Sequence, residues 1–271
     1  MFALVGAATA ANGAVAAGVQ QPRSTLMLRL ATQSSTNWAG YAVTSPDPAA
    51  PSTFTSVSAS WTQPEATCGE KDGISSSSMW VGIGGYGNSA AALEQIGTGA
   101  DCNPSGPSSY YAWYELVPDP PVSFAMKIKP GDVISTSVKV KGNFVTLQIT
   151  NRTRGTVAAD RALDHSLDLS SAEWIAEAPS TCWAGSSCSP LPLADFGSLK
   201  FSGITATGNG HAGTISDPAW ANVPIQLVPT AANQQSGSPA TSAGTCAPSQ
   251  LDPNGRSFAV SWISVAALGG C

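Results

Sequence analysis

Apolar residues recur at every second position along almost the whole of this chain, and no long segment carries a helical period. That alternation most narrows the possible folds, because a period of two places successive side chains on opposite faces of an extended strand. Phe54, Val57, Ala59 and Trp61 lead into a strand ending at Pro64. Met79, Val81 and Ile83 share a face. Over residues 109–117, Tyr110, Ala112, Tyr114 and Leu116 oppose Tyr111, Trp113, Glu115 and Val117. Val122, Phe124, Met126 and Ile128 form a further stripe, followed by a turn at Pro130-Gly131-Asp132. Ile134 to Val140, Lys141-Gly142-Asn143, then Val145 to Ile149 read as a hairpin. In residues 171–177, Glu173, Ile175 and Glu177 share a face while Trp174 points the other way. Leu199 and Phe201, Ile225 and Leu227, then Phe258, Val260 and Trp262 complete the series. Strands at this spacing predict an all-β fold, a β-sandwich. A weak helical pattern lies around 160–168, and the Ser/Pro/Gly/Gln-rich residues 228–256 read as a long loop. No internal repeat is present.

One stretch breaks its own pattern. From Trp80 to Asp101 a tryptophan and a glycine-rich turn lead into a small-residue strand where Glu94 and Gln95 sit between Leu93 and Ile96. A buried core strand would carry apolar side chains there. Two readings stand: an edge strand or solvated face, or a strand whose local rule is broken for function.

Charge is sparse, at 11% of 271 residues, with a formal net charge of −5. No Lys/Arg cluster offers phosphate contacts, so a nucleic-acid partner is excluded. In strong acid only 12 Lys+Arg and 2 His stay charged. Self-repulsion, a usual contributor to acid unfolding, is then mild. The six cysteines, at 68, 102, 182, 188, 246 and 271, form no CxxC and have no histidine at zinc spacing. No metal or cofactor is expected, and disulfides in an oxidising compartment are. The local pairs Cys182–Cys188, Cys68–Cys102 and Cys246–Cys271 are the expected pairing among fifteen. The alanine-rich start resembles the apolar and cleavage regions of a signal peptide, without its basic region. Residues 1–34 are therefore read as a leader and short pro-segment, and 35–271 as one secreted domain. The leader falls short of the ~20 strongly apolar residues of a membrane span.

The common catalytic signatures are missing. There is no GxSxG, no HExxH, and no Asp-Thr-Gly or Asp-Ser-Gly. His165 and His211, the only histidines, sit in polar, loop-like contexts and read as surface residues. Asn151-Arg152-Thr153 matches a glycosylation sequon, a pattern common by chance. What remains are carboxylates and amides among aromatic strands: Glu173 beside Trp174, Glu115 with Trp113 and Tyr114, and Gln95. Such a carboxylate is either hydrogen-bonded structure or a catalytic acid/base.

Five motifs in order carry a resemblance: NWAGY at 37–41, WVGIGG at 80–85, LEQIG at 93–97, YYAWYE at 110–115 and AEWI at 172–175. Over roughly residues 35 to 265 the chain resembles the glutamic peptidases, the eqolisin family of secreted acid proteases. The resemblance implies a lectin-like (concanavalin A-type) sandwich of two antiparallel sheets with a substrate cleft on its concave face. It also implies a catalytic pair, Gln95 and Glu173. Glu173 would take a proton from a water held between the two and return it to the leaving nitrogen, while the Gln95 amide stabilises the oxyanion. A glutamate left at its ordinary pKa, near ~4.3, implies an acid optimum. Trp38, Trp80 and Trp174 are expected to bind substrate or pack beneath the cleft, with core packing the competing reading, and Glu115 to sit close to the pair. Fungal members carry aspartate where Gly84 and Tyr111 stand, so the hydrogen bonds around the pair must differ here. A monomer acting on protein or peptide, free of membrane after leader removal, is expected. A glycoside hydrolase pairing Glu115 with Glu173 and a non-catalytic lectin-like binding module are the rivals.

Overall fold

The structure, a computed structural model, describes residues 31–68, 74–87, 92–103, 106–182, 188–228 and 244–264. The expected leader lies almost entirely outside them. Among the described residues the regular structure is strand throughout.

One layer contains β1 (Gln33–Ser35), β2 (Trp38–Thr44), β4 (Ser75–Gly84), β5 (Leu93–Asn103), β6 (Gly106–Val117) and β7 (Val122–Phe124). It is completed by β11 (Ser171–Glu177), β16 (Ala221–Leu227), β17 (Gly244–Pro248) and β18 (Phe258–Ser264). The other layer holds β3 (Phe54–Thr62), β8 (Val133–Lys141), β9 (Phe144–Asn151), β10 (Thr156–Leu163), β14 (Ser198–Gly208) and β15 (His211–Gly213). A separate ribbon pairs β12 (Ser180–Cys182) with β13 (Cys188–Pro190). The hydrogen-bonded path runs β10-β9-β8-β3-β14-β18-β17-β16-β2-β11-β4-β5-β6-β7. Its pairs are antiparallel; β1 adds to β16 in parallel. The layers join through β14, whose first residues pair with β18 and whose later ones pair with β3. The irregular pairing between Ser202 and Thr205 marks the bend, as bulges commonly do at sandwich corners.

The alternation read from the sequence decides what lies between the layers. Val57 and Trp61 of β3, Ile134 and Val138 of β8 and Leu147 of β9 meet Val81, Ile83, Ile96 and Trp174 from the facing layer. β5 is neither an edge strand nor a solvated one. It is paired on both sides, by β4 and β6, and is buried over nearly its whole length. The Lys141–Phe144 hairpin forms as read.

Three readings are corrected. Around 160–168, where a weak helical pattern is read, residues 160–163 are the end of strand β10 along β9 and 164–168 are not helical, because cross-strand pairing overrides a weak local preference. Part of the 228–256 loop is strand β17, held between β16 and β18. The stripe from Val122 to Ile128 is strand only as far as Phe124.

Cys68–Cys102 is a disulfide. Cys182 and Cys188 face each other in register, though their side chains lie outside the described residues. Cys246 is a free, buried thiol, and its expected partner, Cys271, also lies outside them. The sequon asparagine is internal. Asn151 is fully buried, donates to Asp132 at 2.8 Å and accepts from the Arg154 backbone N–H, so it holds the turn that Asp132 closes and presents nothing for glycosylation.

Candidate active site

Residues directly opposite in paired strands project from the same face of a sheet. Glu173 of β11 stands opposite Gly82 of β4, Gly82 opposite Gln95 of β5, and Gln95 opposite Glu115 of β6. One transverse row therefore reads Glu173, Gly82, Gln95, Glu115, all turned away from the sandwich interior. Glu173 and Gln95 are two strand spacings apart, ~9.6 Å between backbones, and both side chains can reach over the intervening glycine. Glu115 and Glu173 are three spacings apart, ~14 Å between backbones, with Gln95 between them and bonded to Glu115.

A cleft of about 1140 Å³ lies over this face, lined among others by Trp38, Tyr86, Gln95, Trp113, Glu115 and Glu177. The Gln95 Nε2 donates to Glu115 Oε2 at 2.6 Å. That bond commits one amide hydrogen and fixes which way the amide faces. Its second hydrogen is uncommitted, and its Oε1 is buried without a protein partner. Glu173, in the same row, is not among the residues that line the cleft. It is fully buried, and neither carboxyl oxygen has a protein hydrogen-bond partner.

The pKa values follow from this placement. Burial pushes Glu173 well above the ordinary carboxylate range; Ser171 opposes the shift, while the nearby charges of Asp168 and Glu94 add to it. Burial also raises Glu115, and its bond from Gln95 works against that. The Tyr86 hydroxyl is raised first by burial and then by the charge of Glu173.

The tryptophans divide. Trp38 lines the cleft and meets Trp80 edge to face, with ring centroids 5.0 Å apart. Trp80 is fully buried and packs beneath the cleft; its Nε1 donates to Glu177 Oε2 at 2.7 Å. Asn37 Nδ2 donates to the other Glu177 oxygen at 2.9 Å, so this carboxyl ties the floor to the cleft wall. Burial raises the Glu177 pKa to about 7. Trp174 belongs to neither wall nor floor. It points into the sandwich, fully buried, with Nε1 donating to the Ser58 carbonyl at 3.0 Å. Its expected substrate contact is thereby corrected: it is one residue out of phase with Glu173 along β11 and takes the opposite face.

The two departures from the fungal pattern have local causes. A Cβ on Gly84 would lie 2.4 Å from the Asp168 carbonyl oxygen, so no side chain fits there while Asp168 holds the Gly85 N–H at 3.2 Å. Tyr111 packs its ring over Gly99 and donates its hydroxyl to Asp101 at 3.2 Å. Glu177 was legible as a site residue from its period of two with Glu173. Tyr86 and Asp168 carried no signal, since each reaches the row through loop geometry alone.

Comparison with known proteins bears on this arrangement. Residues 36–243 match the Peptidase A4 family. The chain is 34% identical over 146 residues to Aspergillopepsin-2 of Aspergillus niger, an alignment covering 52% of this chain and 49% of that protein. It thus spans about half the length of that curated relative. Among solved structures it is similar to scytalido-glutamic peptidase, crystallised with a peptide-based transition state analog, at 25% identity and a TM-score of 0.65, covering 84% of this chain and 98% of that one. SCP-B, a member of the eqolisin family of peptidases in complex with the tripeptide Ala-Ile-His, shares the fold at 24% identity and a TM-score of 0.62, with the same coverage.

Proposed function

The chain belongs to the Peptidase A4 family, the glutamic peptidases, and from that premise we propose that it is a secreted endopeptidase in which Glu173 and Gln95 activate one water against a peptide bond. The observation that carries this reading is the row Glu173, Gly82, Gln95, Glu115 across four adjacent strands. The alanine-rich leader and the Cys68–Cys102 disulfide support secretion.

The Glu173 carboxylate removes a proton from water as the water oxygen bonds to the peptide carbonyl carbon. Negative charge moves onto the carbonyl oxygen, where the uncommitted Gln95 N–H donates to it. Glu115 is a positioning residue, holding the amide so that this hydrogen points at the oxyanion. Glu173, now protonated, passes its proton to the amide nitrogen as the C–N bond breaks and the carbonyl reforms. The neutral partner matters, because a second carboxylate would split the pKa values of the pair.

Burial changes the pH expectation drawn from the sequence. Glu173 does not keep the ordinary value; its raised pKa keeps it protonated further up the acid range. The basic form therefore appears only as pH rises, and the acid limb of kcat/KM, which reports the free enzyme, lies above ~4.3. Glu177, at about 7, and Glu94, at about 8, acquire buried charge as pH rises through those values, which destabilises the fold toward alkaline pH.

The test is digestion of a denatured protein at mildly acid pH with pepstatin present, comparing wild type with Gln95→Ala and Glu173→Gln. Both variants are expected to lose hydrolysis while staying folded by circular dichroism. Full activity in Glu173→Gln, or no hydrolysis by wild type at any pH from 2 to 7 as a binding module would give, refutes the reading.

A further inference from the structure

We propose that the outward face of the layer formed by β3, β8, β9, β10 and β14 is a docking surface for an acidic polysaccharide, one bearing uronate carboxylates. The inference is independent of the peptidase reading above, because this face lies on the opposite side of the sandwich from the row Glu173, Gly82, Gln95, Glu115.

Strand pairing collects cations that are scattered along the chain. Among the described residues, every Lys and Arg except Lys200 and Arg256 falls between residues 127 and 161, on β8, β9, β10 and the turns beside them. One transverse row reads Thr207, Ser56, Lys139, Thr146, Arg161 across β14, β3, β8, β9 and β10. Lys139 and Arg161 stand two strand spacings apart, ~9.6 Å between backbones. The next two rows put Thr205, Ser58 and Ser137, then Ser202, Ser60 and Ser135, on the same face. Their hydroxyls join across strands, Ser58 with Thr205 at 2.8 Å and Ser60 with Ser135 at 2.6 Å. Lys141 extends the cationic strip at one end and Arg152 at the other, where its Nε donates to Ser135 Oγ at 2.5 Å. The Arg161 guanidinium lies 3.8 Å from the Phe144 ring centroid, which holds the cation against the sheet. All four cations are exposed. No Asp or Glu of these strands shares the face: their one acid, Asp160, alternates to the interior side and meets the Tyr114 hydroxyl. A merely solvated face mixes both signs of charge. Here cations stand on a layer of hydroxyls in a chain of net charge −5, while the carboxyls Glu115, Asp119 and Glu177 line the cleft on the far side. Fixed positive charge selects a polyanion. The hydroxyl grid selects one rich in hydroxyls itself. Exposed apolar side chains, which a lipid surface needs for insertion, are confined to Phe144 and to the margins at Val133, Val157 and Leu163.

The experiment is calorimetric titration of the full chain with polygalacturonate in mildly acid, low-salt buffer, with dextran as the neutral control and thermal unfolding recorded for every variant. Polygalacturonate is expected to bind and dextran is not, and added salt is expected to weaken the binding. Lys139→Gln, Lys141→Gln and Arg161→Gln are each expected to lower affinity roughly 5-fold, the scale of one cation at an anionic surface, and together ~100-fold. Val122→Glu shifts net charge by the same single unit on β7, in the other layer, and is expected to leave affinity within about 2-fold. Thr146→Val keeps every charge and removes a hydroxyl between Lys139 and Arg161. It is expected to weaken polygalacturonate roughly 3-fold, one hydrogen bond's worth, and to leave polyphosphate binding unchanged. Absence of binding at low salt, or equal losses in Val122→Glu and Arg161→Gln, would overturn the proposal. So would tighter binding of polyphosphate, duplex DNA or phosphatidylglycerol vesicles than of polygalacturonate, which would put the partner in another class. Every readout is binding, so a chain that cleaves no peptide can still pass this test, and an active peptidase can fail it.

Discussion

Glu94 gives the sharpest physical test of this fold. It follows Leu93 on β5 and faces the interior, between Ile83 of β4 and Leu116 of β6, fully buried, with neither carboxyl oxygen hydrogen-bonded to protein. Burial first, then Asp164 and Asp168, raises its pKa from 4.5 to about 8. Below the unfolded value both states hold the proton and Glu94 costs nothing through ionisation. Between 4.5 and about 8 the unfolded chain releases the proton while the folded one keeps it, so stability falls as pH rises. The rise from 4.5 to about 8 corresponds to a loss of at most ~5 kcal/mol, complete once pH passes the folded value. Glu173 and Glu177 are raised as well and act with the same sign, so the wild-type curve is steeper than Glu94 alone would make it. Glu94→Gln isolates one share. At pH 4 the variant is expected to be equal to wild type or less stable by ~1–3 kcal/mol, because two amide hydrogens enter an apolar site. At pH 8 the difference moves in its favour by up to ~5 kcal/mol, or ~10–20 °C in Tm for a domain of this size. Scanning calorimetry from pH 4 to 8 reads this directly. Parallel Tm curves for the two proteins would show that Glu94 is ionised in the native state and that its burial is wrongly described. The sign has a consequence for habitat. Acid is the condition in which carboxyls are buried at least cost, and the sparse basic charge keeps self-repulsion low there.

Two further outcomes follow from the packing. Trp174→Phe keeps an aromatic ring in the sandwich and strands the Ser58 carbonyl; it is expected to lower stability by ~1–3 kcal/mol in denaturant titration and to leave KM for a peptide substrate unchanged, whereas a raised KM would return Trp174 to the cleft. Replacing Cys68 and Cys102 by serine opens a link spanning 34 residues and is expected to cost about 4 kcal/mol by loop-closure entropy; unchanged unfolding in reducing and oxidising buffer would mean that the bridge is not formed in solution.

What could be read from the chain alone was whatever depends on near neighbours. A period of two fixes which side chains share a face, so Glu173, Ile175 and Glu177 were grouped correctly, and Trp174 was set against them, before any fold was known. The same pattern delivered the Lys141–Phe144 hairpin and the all-β class. The resemblance alone points Trp174 to the cleft; its own alternation places it on the opposite face, where the structure has it. Lateral order lies beyond such reasoning, since strand pairing joins residues far apart in the chain. Only the tertiary structure inserts β11 between β2 and β4, and that insertion brings Glu173 across Gly82 to Gln95. It likewise decides that Glu94 faces the core, that Asp168 reaches Gly85 from a loop, and that residues 160–163 extend along β9 instead of coiling. Burial is set by the whole fold, and burial moved the Glu173 pKa away from the value its sequence context would assign.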